Sequence, residues 1–383
     1  MSCDLFIFAG EKSGDLYGEK LLESLKALYP TLRIAGVGGP RMRAQGMLSV
    51  LPMEEFQVMG FIDVFLALPK LILKFYMIAR TILEFNPKAV LFIDYPGFNL
   101  RMARHLRKKG YQGKLCHFIC PSIWAWGKKR IPFMAKYLDL LLSILPFEKE
   151  YFRATTLDVA FVGHPLIQRF KEYPYQSLPL PKDRKTIAVF PGSRQKELIR
   201  NFPLYLKTCR RLKEIHPDLF FAISVSDEKY RSLIESLIVE SGLNIGADLA
   251  LFPVEATYNL MKHAHAAIAK SGTITLELAL HGVPTVVTYG ISKLDLIIAR
   301  DILRIRLPHY CLVNIIAKDT VFPELFGPNF TEESLLMHCE EMIGNEKKRK
   351  RCQEQCDTLC QNMQDKNANL EAARLILAAI SQN

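Results

Sequence analysis

The sequence predicts two α/β domains, each built around a parallel β-sheet, with the two domains facing a common cleft. Short apolar or β-branched runs alternate with amphipathic helical segments along the whole chain, which is typical of βαβ units. Glycine turns follow several of these runs. A chain of 383 residues is also too long for one ordinary hydrophobic core and suits two domains.

The first half of the chain begins with the run DLFIFAG, followed by a helix that we predict from Gly14 to Leu28. The later strand-like runs are RIAGVGG, KAVLFID, KLCHFIC, DLLLSIL and DVAFVG. Parallel sheets bind ligands at the carboxyl ends of their strands. We therefore predict a first domain over 1–175, with its binding surface in the loops at that edge.

A proline-rich segment at 172–185, EYPYQSLPLPKDRK, predicts an interdomain linker. After it, the alternation resumes with KTIAVFPGSR, DLFFAISV, LALFPV, HAAIAKSGT and VPTVVTY. We predict a second domain over 183–345. A helical segment over 346–383 completes the chain, and whether it packs back on the first domain stays open.

The net charge of +11 favours an acidic partner, with basic clusters at 101–109, 128–130 and 347–351. Charge alone leaves an anionic membrane, nucleic acid and phosphorylated substrates open. No aromatic residues interleave the clusters as nucleic-acid-binding signatures require, so we expect no nucleic acid partner. The alternative of a basic peripheral scaffold that binds a membrane through these clusters stays open.

Cysteine usage and the amino-terminal run favour a cytoplasmic protein. The nine cysteines are odd in number and include no CxxC pair, which predicts reduced thiols. Cys352, Cys356 and Cys360 share a helical face without a nearby histidine, so we expect packing rather than a metal site. The run LFIFAG has no preceding basic region and no cleavage site, and we interpret it as a strand of a protein that is not exported.

The stretch 58–85 departs from the alternating pattern because apolar residues dominate it. Charged residues and Pro69 interrupt it, so it does not provide the roughly 20 apolar residues that a membrane span needs. Two interpretations stay open from pattern alone, a buried core helix and a helix lying on a membrane surface. In the second, the membrane contacts are Phe61, Phe65, Leu68, Ile72 and Phe75.

The segment AKSGTITLE at 269–277 places a small, hydroxyl-rich turn between a strand and a helix. A helix N-terminus there favours a phosphate group, with Ser271, Gly272 and Thr273 beside it. Glu277 follows Thr273 by one turn on the same face and suits the hydroxyls of a ribose. The alternative is a solvent-facing glutamate behind a simple helix cap.

The segment FPGSRQKE at 190–197 repeats this arrangement with Gly192, Ser193 and Arg194. An arginine binds phosphate through two parallel hydrogen bonds and keeps its charge. Two such turns in one domain predict a nucleoside diphosphate. The chain has no Asp-x-Asp pair, no Walker motif and no GxGxxG motif, which argues against an NTPase, a nicotinamide enzyme and a bound metal.

The first domain carries loops that suit a second substrate. Asp94 ends the strand of IDYPGFN, where it can act either as a general base or as a helix cap. Trp124, in CPSIWAWGKKR, suits a substrate wall, an interface or a core turn. The loop AGEKSGD contributes the remaining candidates, Gly10, Glu11, Ser13, Gly14 and Asp15.

Taken together, these motifs resemble the lipid-A-disaccharide synthase family of GT-B glycosyltransferases. The resemblance rests on GEKSGD, GVGGPRM, FIDYPGFN, PSIWAW, LPFE, GHP, PGSR, SGTITLE and LVN in that order along the chain. It implies transfer of diacylglucosamine from UDP-2,3-diacylglucosamine to 2,3-diacylglucosamine 1-phosphate, with inversion, release of UDP and no cofactor. It also implies Asp94 as the base and Asn314 near the nucleotide or sugar.

The resemblance bears on the questions that the pattern leaves open. Acylated substrates favour the membrane interpretation of 58–85 and imply a peripheral protein on the inner face of the inner membrane, while a homo-oligomer stays open. Lys12 and Gly97 depart from the family pattern, which has alanine and aspartate there. Another GT-B transferase of UDP-N-acetylhexosamines and a UDP-sugar epimerase stay open as alternatives.

Overall fold

The computed structural model describes residues 3–56, 61–291, 296, 307–363 and 366–381, with the backbone alone at 61–68 and 125–126. The chain divides into two compact units. The first comprises Met1–Gln168 together with Asp365–Asn383, and the second comprises Arg169–Gln364.

Within its described residues, the first unit forms a seven-stranded sheet in which all neighbouring strands are parallel. Its strands are β1 (Leu5–Ala9), β2 (Ile34–Gly38), β3 (Leu48–Pro52), β4 (Ala89–Ile93), β5 (Lys114–Phe118), β6 (Leu140–Ser143) and β7 (Asp158–Phe161). Their spatial order is β3-β2-β1-β4-β5-β6-β7. The order therefore reverses between β1 and β4, which is where sheets of this type bind ligands.

Helices cover this sheet and account for its continuous apolar strands. The helices of this part of the chain are α1 (Lys12–Leu28), α2 (Pro40–Ala44), α3 (Phe61–Phe85), α4 (Pro96–Lys108), α5 (Arg130–Tyr137) and α6 (Pro165–Glu172). Every residue of β1 and β4 is buried, as expected for parallel strands with both faces covered. On one face, Phe8 stacks on Phe98 of α4 with ring centroids 4.5 Å apart.

The second unit contains a six-stranded parallel sheet within its described residues. The strands are β8 (Lys185–Phe190), β9 (Leu219–Val225), β10 (Leu249–Pro253), β11 (Ala266–Lys270), β12 (Thr285–Tyr289) and β13 (Glu324–Phe326). The spatial order β10-β9-β8-β11-β12-β13 makes β8 and β11 central neighbours. The carboxyl ends of these two strands therefore lie side by side.

The helices of the second unit follow the same βα alternation. They are α7 (Gln195–Ile215), α8 (Arg231–Ser241), α9 (Thr257–His263), α10 (Thr273–Leu280), α11 (Leu312–Ala317), α12 (Glu332–Gly344) and α13 (Glu346–Asn362). The last helix, α14 (Ala368–Ser381), belongs to the first unit and packs on α1. The residues at 346–383 thus divide between the two units, with α13 in the second unit and α14 in the first.

The predicted fold class is confirmed, because both units are α/β with parallel sheets. Each strand-like run named from the sequence forms a strand. The strands β3 and β13 were not predicted from the sequence, and both lie at a sheet edge. Edge strands are paired on one side only, so their sequences carry a weaker apolar signal.

Candidate functional site

A cavity of about 290 Å³ opens in the second unit at the carboxyl ends of its central strands. Because β8 and β11 pair in parallel, the turns that follow them contribute to one wall. The predicted PGSR and SGT turns are thus brought together. The lining residues are Phe190, Pro191, Gly192, Ser193, Glu197, Ser224, Ser226, Val254, Thr257, Lys270, Ser271, Gly272, Thr273, Ile274 and Glu277.

The turn after β11 leaves space for a ligand beside its backbone. A Cβ atom placed on Gly272 would meet no heavy atom within 4 Å. The backbone N–H of Ser271 donates to the carbonyl of Thr288 at 2.8 Å and so belongs to the sheet. Thr273 and Ile274 begin α10 and line the cavity. Hydrogen-bond donors for a ligand at this turn therefore include the N–H groups in the first turn of α10 and the hydroxyls of Ser271 and Thr273.

Glu277 lines the same cavity, and its carboxylate is held in place from two sides. The Tyr258 hydroxyl donates to Glu277 Oε1 at 2.8 Å, and Arg169 Nη1 lies 3.7 Å from the same oxygen. Burial raises the pKa of Glu277, while these two neighbours lower it. Only 8% of Glu277 is exposed, so the alternative of a solvent-facing glutamate is wrong.

The turn after β8 has a backbone that requires glycine. Gly192 has φ +126°, and a Cβ atom there would lie 2.8 Å from Glu197 Cβ. The N–H of Ser193 donates to Glu197 Oε2 at 3.0 Å. Arg194 precedes α7, with its side chain 80% exposed and its Nη1 3.4 Å from Glu197 Oε1. Arg194 thus lies next to the cavity and does not line it.

Glu197 and Lys270, which were not predicted from the sequence, both line the cavity. Lys270 Nζ lies 3.0 Å from Glu197 Oε1. Burial would raise the pKa of Glu197, but the hydrogen bond and charge of Lys270 lower it below its usual value. Glu197 stands at the third position of α7, where a glutamate commonly caps a helix, and this signal could have identified it.

Asn314 is not among the residues that line the cavity, and its place near the nucleotide or sugar stays a prediction. Its amide group donates to the Phe322 carbonyl at 2.7 Å and to the Glu324 carboxylate. Its amide oxygen accepts the N–H groups of Val321 and Phe322, each at 2.9 Å. The side chain is fully buried, and both its amide nitrogen and its amide oxygen form hydrogen bonds. These hydrogen bonds connect α11 to the start of β13.

Asp94 occupies a strained backbone position at the end of β4 in the first unit. Asp94 and Tyr95 have φ of 49° and 44°, and Ile119, after the neighbouring strand β5, has φ 74°. Left-handed conformations of residues other than glycine cost free energy and cluster at functional sites. Burial raises the pKa of Asp94, opposed by the Tyr95 N–H.

The loop after β1 lies beside Asp94 because β1 and β4 are neighbours. A Cβ atom on Gly10 would lie 3.0 Å from the Tyr95 ring. Glu11 and Ser13 are exposed, whereas Gly14 is buried in α1. Asp15 is buried and accepts the N–H groups of Arg41 and Met42 at 3.2 and 3.0 Å. Its carboxylate thus caps α2, and its role in acceptor binding stays a prediction.

Trp124 packs against the core of the first unit, with its ring 6.1 Å edge-on from Phe147. Nearby, Glu148 is 1% exposed and accepts the Ser143 hydroxyl at 2.7 Å. Burial raises the pKa of Glu148 to about 7, opposed by that hydroxyl and by the Leu145 N–H. Sequence analysis did not single out this carboxyl group, although it belongs to the LPFE motif.

The described part of α3 has two apolar faces. Ile78, Ala79 and Ile82 are buried in the core. On the other face lie the exposed side chains of Ile72 at 47%, Leu73 at 70%, Tyr76 at 56% and Met77 at 44%.

The predicted membrane contacts on α3 have different outcomes. The side chains of Phe61, Phe65 and Leu68 lie outside the described residues. Ile72 is exposed. Phe75 is partly buried, with its ring 5.2 Å from Phe98 against the core. Membrane contact of both residues stays a prediction.

Three further properties follow from the described residues. None of their helices combines the length and apolar character that crossing a membrane requires. Over the same part of the chain, no three or more His, Cys, Asp or Glu side chains form a group that could hold a metal ion. All nine cysteines are free thiols.

Solved structures share the architecture of this chain. The calicheamicin glycosyltransferase CalG4 has a TM-score of 0.60 at 14% identity, covering 100% of this chain and 99% of that one. The UDP-GlcNAc 2-epimerase from Neisseria meningitidis, bound to UDP-GlcNAc, has a TM-score of 0.57 at 10% identity, with 99% of both chains covered. The fold is therefore that of the GT-B glycosyltransferases and related epimerases.

The chain belongs to the lipid-A-disaccharide synthetase family, whose model matches residues 5–378. The lipid-A-disaccharide synthase of Chlamydia pneumoniae is 39% identical over 366 residues, covering 94% of this chain and 59% of that protein. The enzyme of the same name from Anaeromyxobacter sp. (strain K) is 36% identical over 346 residues, covering 89% and 88%. The chain spans a little over half the length of the Chlamydia relatives.

Proposed function

We propose that this chain is an inverting glycosyltransferase. It transfers diacylglucosamine from UDP-2,3-diacylglucosamine to the 6-hydroxyl of 2,3-diacylglucosamine 1-phosphate, which forms a β-1,6-linked disaccharide and releases UDP. The observation that best supports this proposal is the cavity where the PGSR and SGT turns meet, with Glu277 on the same wall. Family membership supports the choice of substrates.

The cavity suits a nucleoside diphosphate. The first turn of α10 and the hydroxyls of Ser271 and Thr273 would bind phosphate oxygens, and the space beside Gly272 admits them. The carboxylate of Glu277, oriented by Tyr258, would accept hydrogen bonds from the two ribose hydroxyls. Arg194, at the rim, would approach the departing diphosphate with its exposed guanidinium.

On the acceptor side, Asp94 is the proposed general base. It takes the proton of the 6-hydroxyl as the oxygen attacks the anomeric carbon, and the bond to the UDP oxygen breaks on the opposite face. Burial raises the pKa of Asp94 and so makes the carboxylate a better proton acceptor. Acceptor binding beside Asp94 would involve Gly10, Glu11 and Ser13. Trp124 would support the acceptor site from the core.

The exposed face of α3 is the proposed membrane contact of a cytoplasmic enzyme on the inner membrane. Ile72, Leu73, Tyr76 and Met77 form an apolar strip that would enter the acyl boundary. Beside it, the neighbouring helix α4 exposes Arg101, Arg104 and Lys108, which suit anionic headgroups.

The test is UDP release by the purified protein given both lipid substrates in detergent. We expect acceptor-dependent release, and a loss of about 100-fold or more in Asp94→Asn, because a general base contributes roughly that much. The matched control is Asp158→Asn, an exposed aspartate at the start of β7, which should keep full activity.

Two other outcomes would contradict the proposed reaction, and a third would contradict only the role of Asp94. Consumption of UDP-N-acetylglucosamine without an acceptor would indicate a UDP-sugar epimerase. Transfer to an acceptor without acyl chains would indicate another UDP-N-acetylhexosamine transferase. UDP release that Asp94→Asn leaves unchanged would remove Asp94 as the base and keep the transferase.

A further inference from the structure

The cavity lining carries a charge imbalance that the proposed donor site does not explain. Glu197 and Glu277 both line it, and Lys270 is the only cationic side chain among the lining residues that the structure describes. A diphosphate carries two negative charges in a UDP-sugar. An anion of that charge needs a cation within contact distance in a partly enclosed site.

The surroundings of Lys270 aim its ammonium group at one carboxylate. Its side chain is 19% exposed, and Nζ lies 3.0 Å from Glu197 Oε1. The Tyr289 ring supports the ammonium from the side, with Nζ 5.3 Å from the ring centroid. Lys270 is the last residue of β11 and directly precedes Ser271, so its ammonium group lies beside the predicted phosphate turn.

Glu197 stands where three donors converge. Its two oxygens meet Lys270 Nζ at 3.0 Å, Arg194 Nη1 at 3.4 Å and the Ser193 N–H at 3.0 Å. Two cations and a backbone N–H form a donor set that a phosphate group would use equally well. The carboxylate thus occupies an anion-binding arrangement of the protein's own side chains.

We propose that Lys270 binds the diphosphate of the donor, and that Glu197 is the counterion that holds Lys270 at the cavity wall until the nucleotide arrives. On binding, the ammonium group exchanges the carboxylate for a phosphate oxygen. This inference rests on the proposed function, because it takes UDP as the occupant of the cavity.

The experiment compares the affinities of the full-length protein for UDP, inorganic pyrophosphate and uridine by calorimetry. Lys270→Met should weaken UDP and pyrophosphate binding about tenfold or more, which is the range of a charge-assisted hydrogen bond. Uridine affinity should stay unchanged, since uridine has no phosphate. Lys270→Arg should restore most of the UDP affinity.

A purely structural role predicts a different pattern. If Lys270 only stabilised the turn, Lys270→Met would weaken UDP and uridine equally, and that result would overturn the inference. The matched control is Lys185→Met, which breaks a 3.2 Å pair with Asp218 at the opposite end of the neighbouring strand β8. It should leave all three affinities unchanged.

Glu197→Gln tests the second half of the inference. Removing the negative charge frees Lys270 and Arg194, so UDP and pyrophosphate should bind several-fold more tightly. Weaker UDP binding in Glu197→Gln would refute the counterion role. UDP binding that is unaffected in Lys270→Met would refute the inference alone, whereas a wild-type protein that binds neither UDP nor pyrophosphate would refute the proposed function and this inference with it.

Discussion

At the scale of single residues, the buried carboxylate of Glu277 in the second unit depends on contacts with neighbouring side chains. An unpaired buried carboxylate is expensive, and Glu277 is accordingly paired with the Tyr258 hydroxyl and with Arg169. Arg169 also lies over the Tyr258 ring, 5.0 Å from its centroid. These contacts fix the direction of the carboxylate, which a ribose ligand would require.

Glu277→Gln should reduce discrimination for the ribose 2′-hydroxyl. We expect UDP affinity to fall about tenfold, because a hydrogen bond to a charged acceptor contributes about 1.5–3 kcal/mol. The affinity for 2′-deoxy-UDP, which keeps only the 3′-hydroxyl contact, should fall by a smaller factor. Calorimetric titration with the two nucleotides measures the difference. Glu354→Gln, at an exposed position of α13, is the control, and equal losses for both nucleotides would refute the ribose contact.

Glu148 should make the stability of the first unit depend on pH. Its pKa is raised from 4.5 to about 7, so between these values the folded state holds a proton that the unfolded state has lost. The contribution of Glu148 to the free energy of unfolding therefore falls by about 3 kcal/mol as pH rises through this window. Burial lowers the pKa of His117 and of His164, in the same unit, to about 4, so their contributions rise with pH over much of the same window.

Urea unfolding at pH 5 and pH 8 checks this dependence. Both tryptophans, Trp124 and Trp126, belong to the first unit, so their fluorescence reports on it. Glu148→Gln should shift the difference in unfolding free energy between pH 5 and pH 8 by about the same 3 kcal/mol, toward greater stability at pH 8, since glutamine does not titrate. A variant with the wild-type slope would show that another group is responsible.

At the scale of the element, α3 combines a buried face and an exposed apolar face that sequence patterning could not separate. Ile78 and Ile82 anchor it in the core, while Leu73 and Met77 are exposed on the other side. Lys74 is paired with Glu55 at 3.0 Å and so belongs to the fold rather than to the exposed strip. The interpretation as a core helix therefore holds for one face, and the interpretation as a membrane-contacting helix stays a proposal for the other.

Replacing the strip with glutamine should release the protein from anionic vesicles. We expect Ile72→Gln, Leu73→Gln and Met77→Gln combined to reduce vesicle flotation about tenfold or more, because burying each side chain contributes roughly 1.5–3 kcal/mol. Val239→Gln, at a 76% exposed position of α8, is the matched control. Unchanged flotation of the triple variant would refute the membrane contact.

At the scale of the whole molecule, the chain forms the first unit from two separated segments. It enters the second unit within α6 and returns to the first after α13. Ala372, Ala373 and Ile376 of α14 are buried, and this helix packs on α1 of the same unit. The residues after 364 are therefore needed to complete the hydrophobic core of the first unit.

Much of the fold could be predicted from the sequence, because parallel strands buried on both faces give continuous apolar runs such as LFIFA and AVLFI. The turns after β8 and β11 could also be identified, since glycine and hydroxyl residues between a strand and a helix are local signals. Glu277 could be predicted as part of the candidate site because its spacing of one helical turn from Thr273 is also a local signal.

The sequence by itself determined the two α/β units, the two turns at the candidate site and the position of Asp94 at a strand end. Only the tertiary structure decided that Lys270 and Glu197 form a pair at the cavity, that Asn314 and Asp15 are used internally, and that α14 completes the first unit. The reason is physical: secondary structure follows from short-range periodicity, whereas pairing between charges separated by 73 positions depends on which strands become neighbours in the sheet.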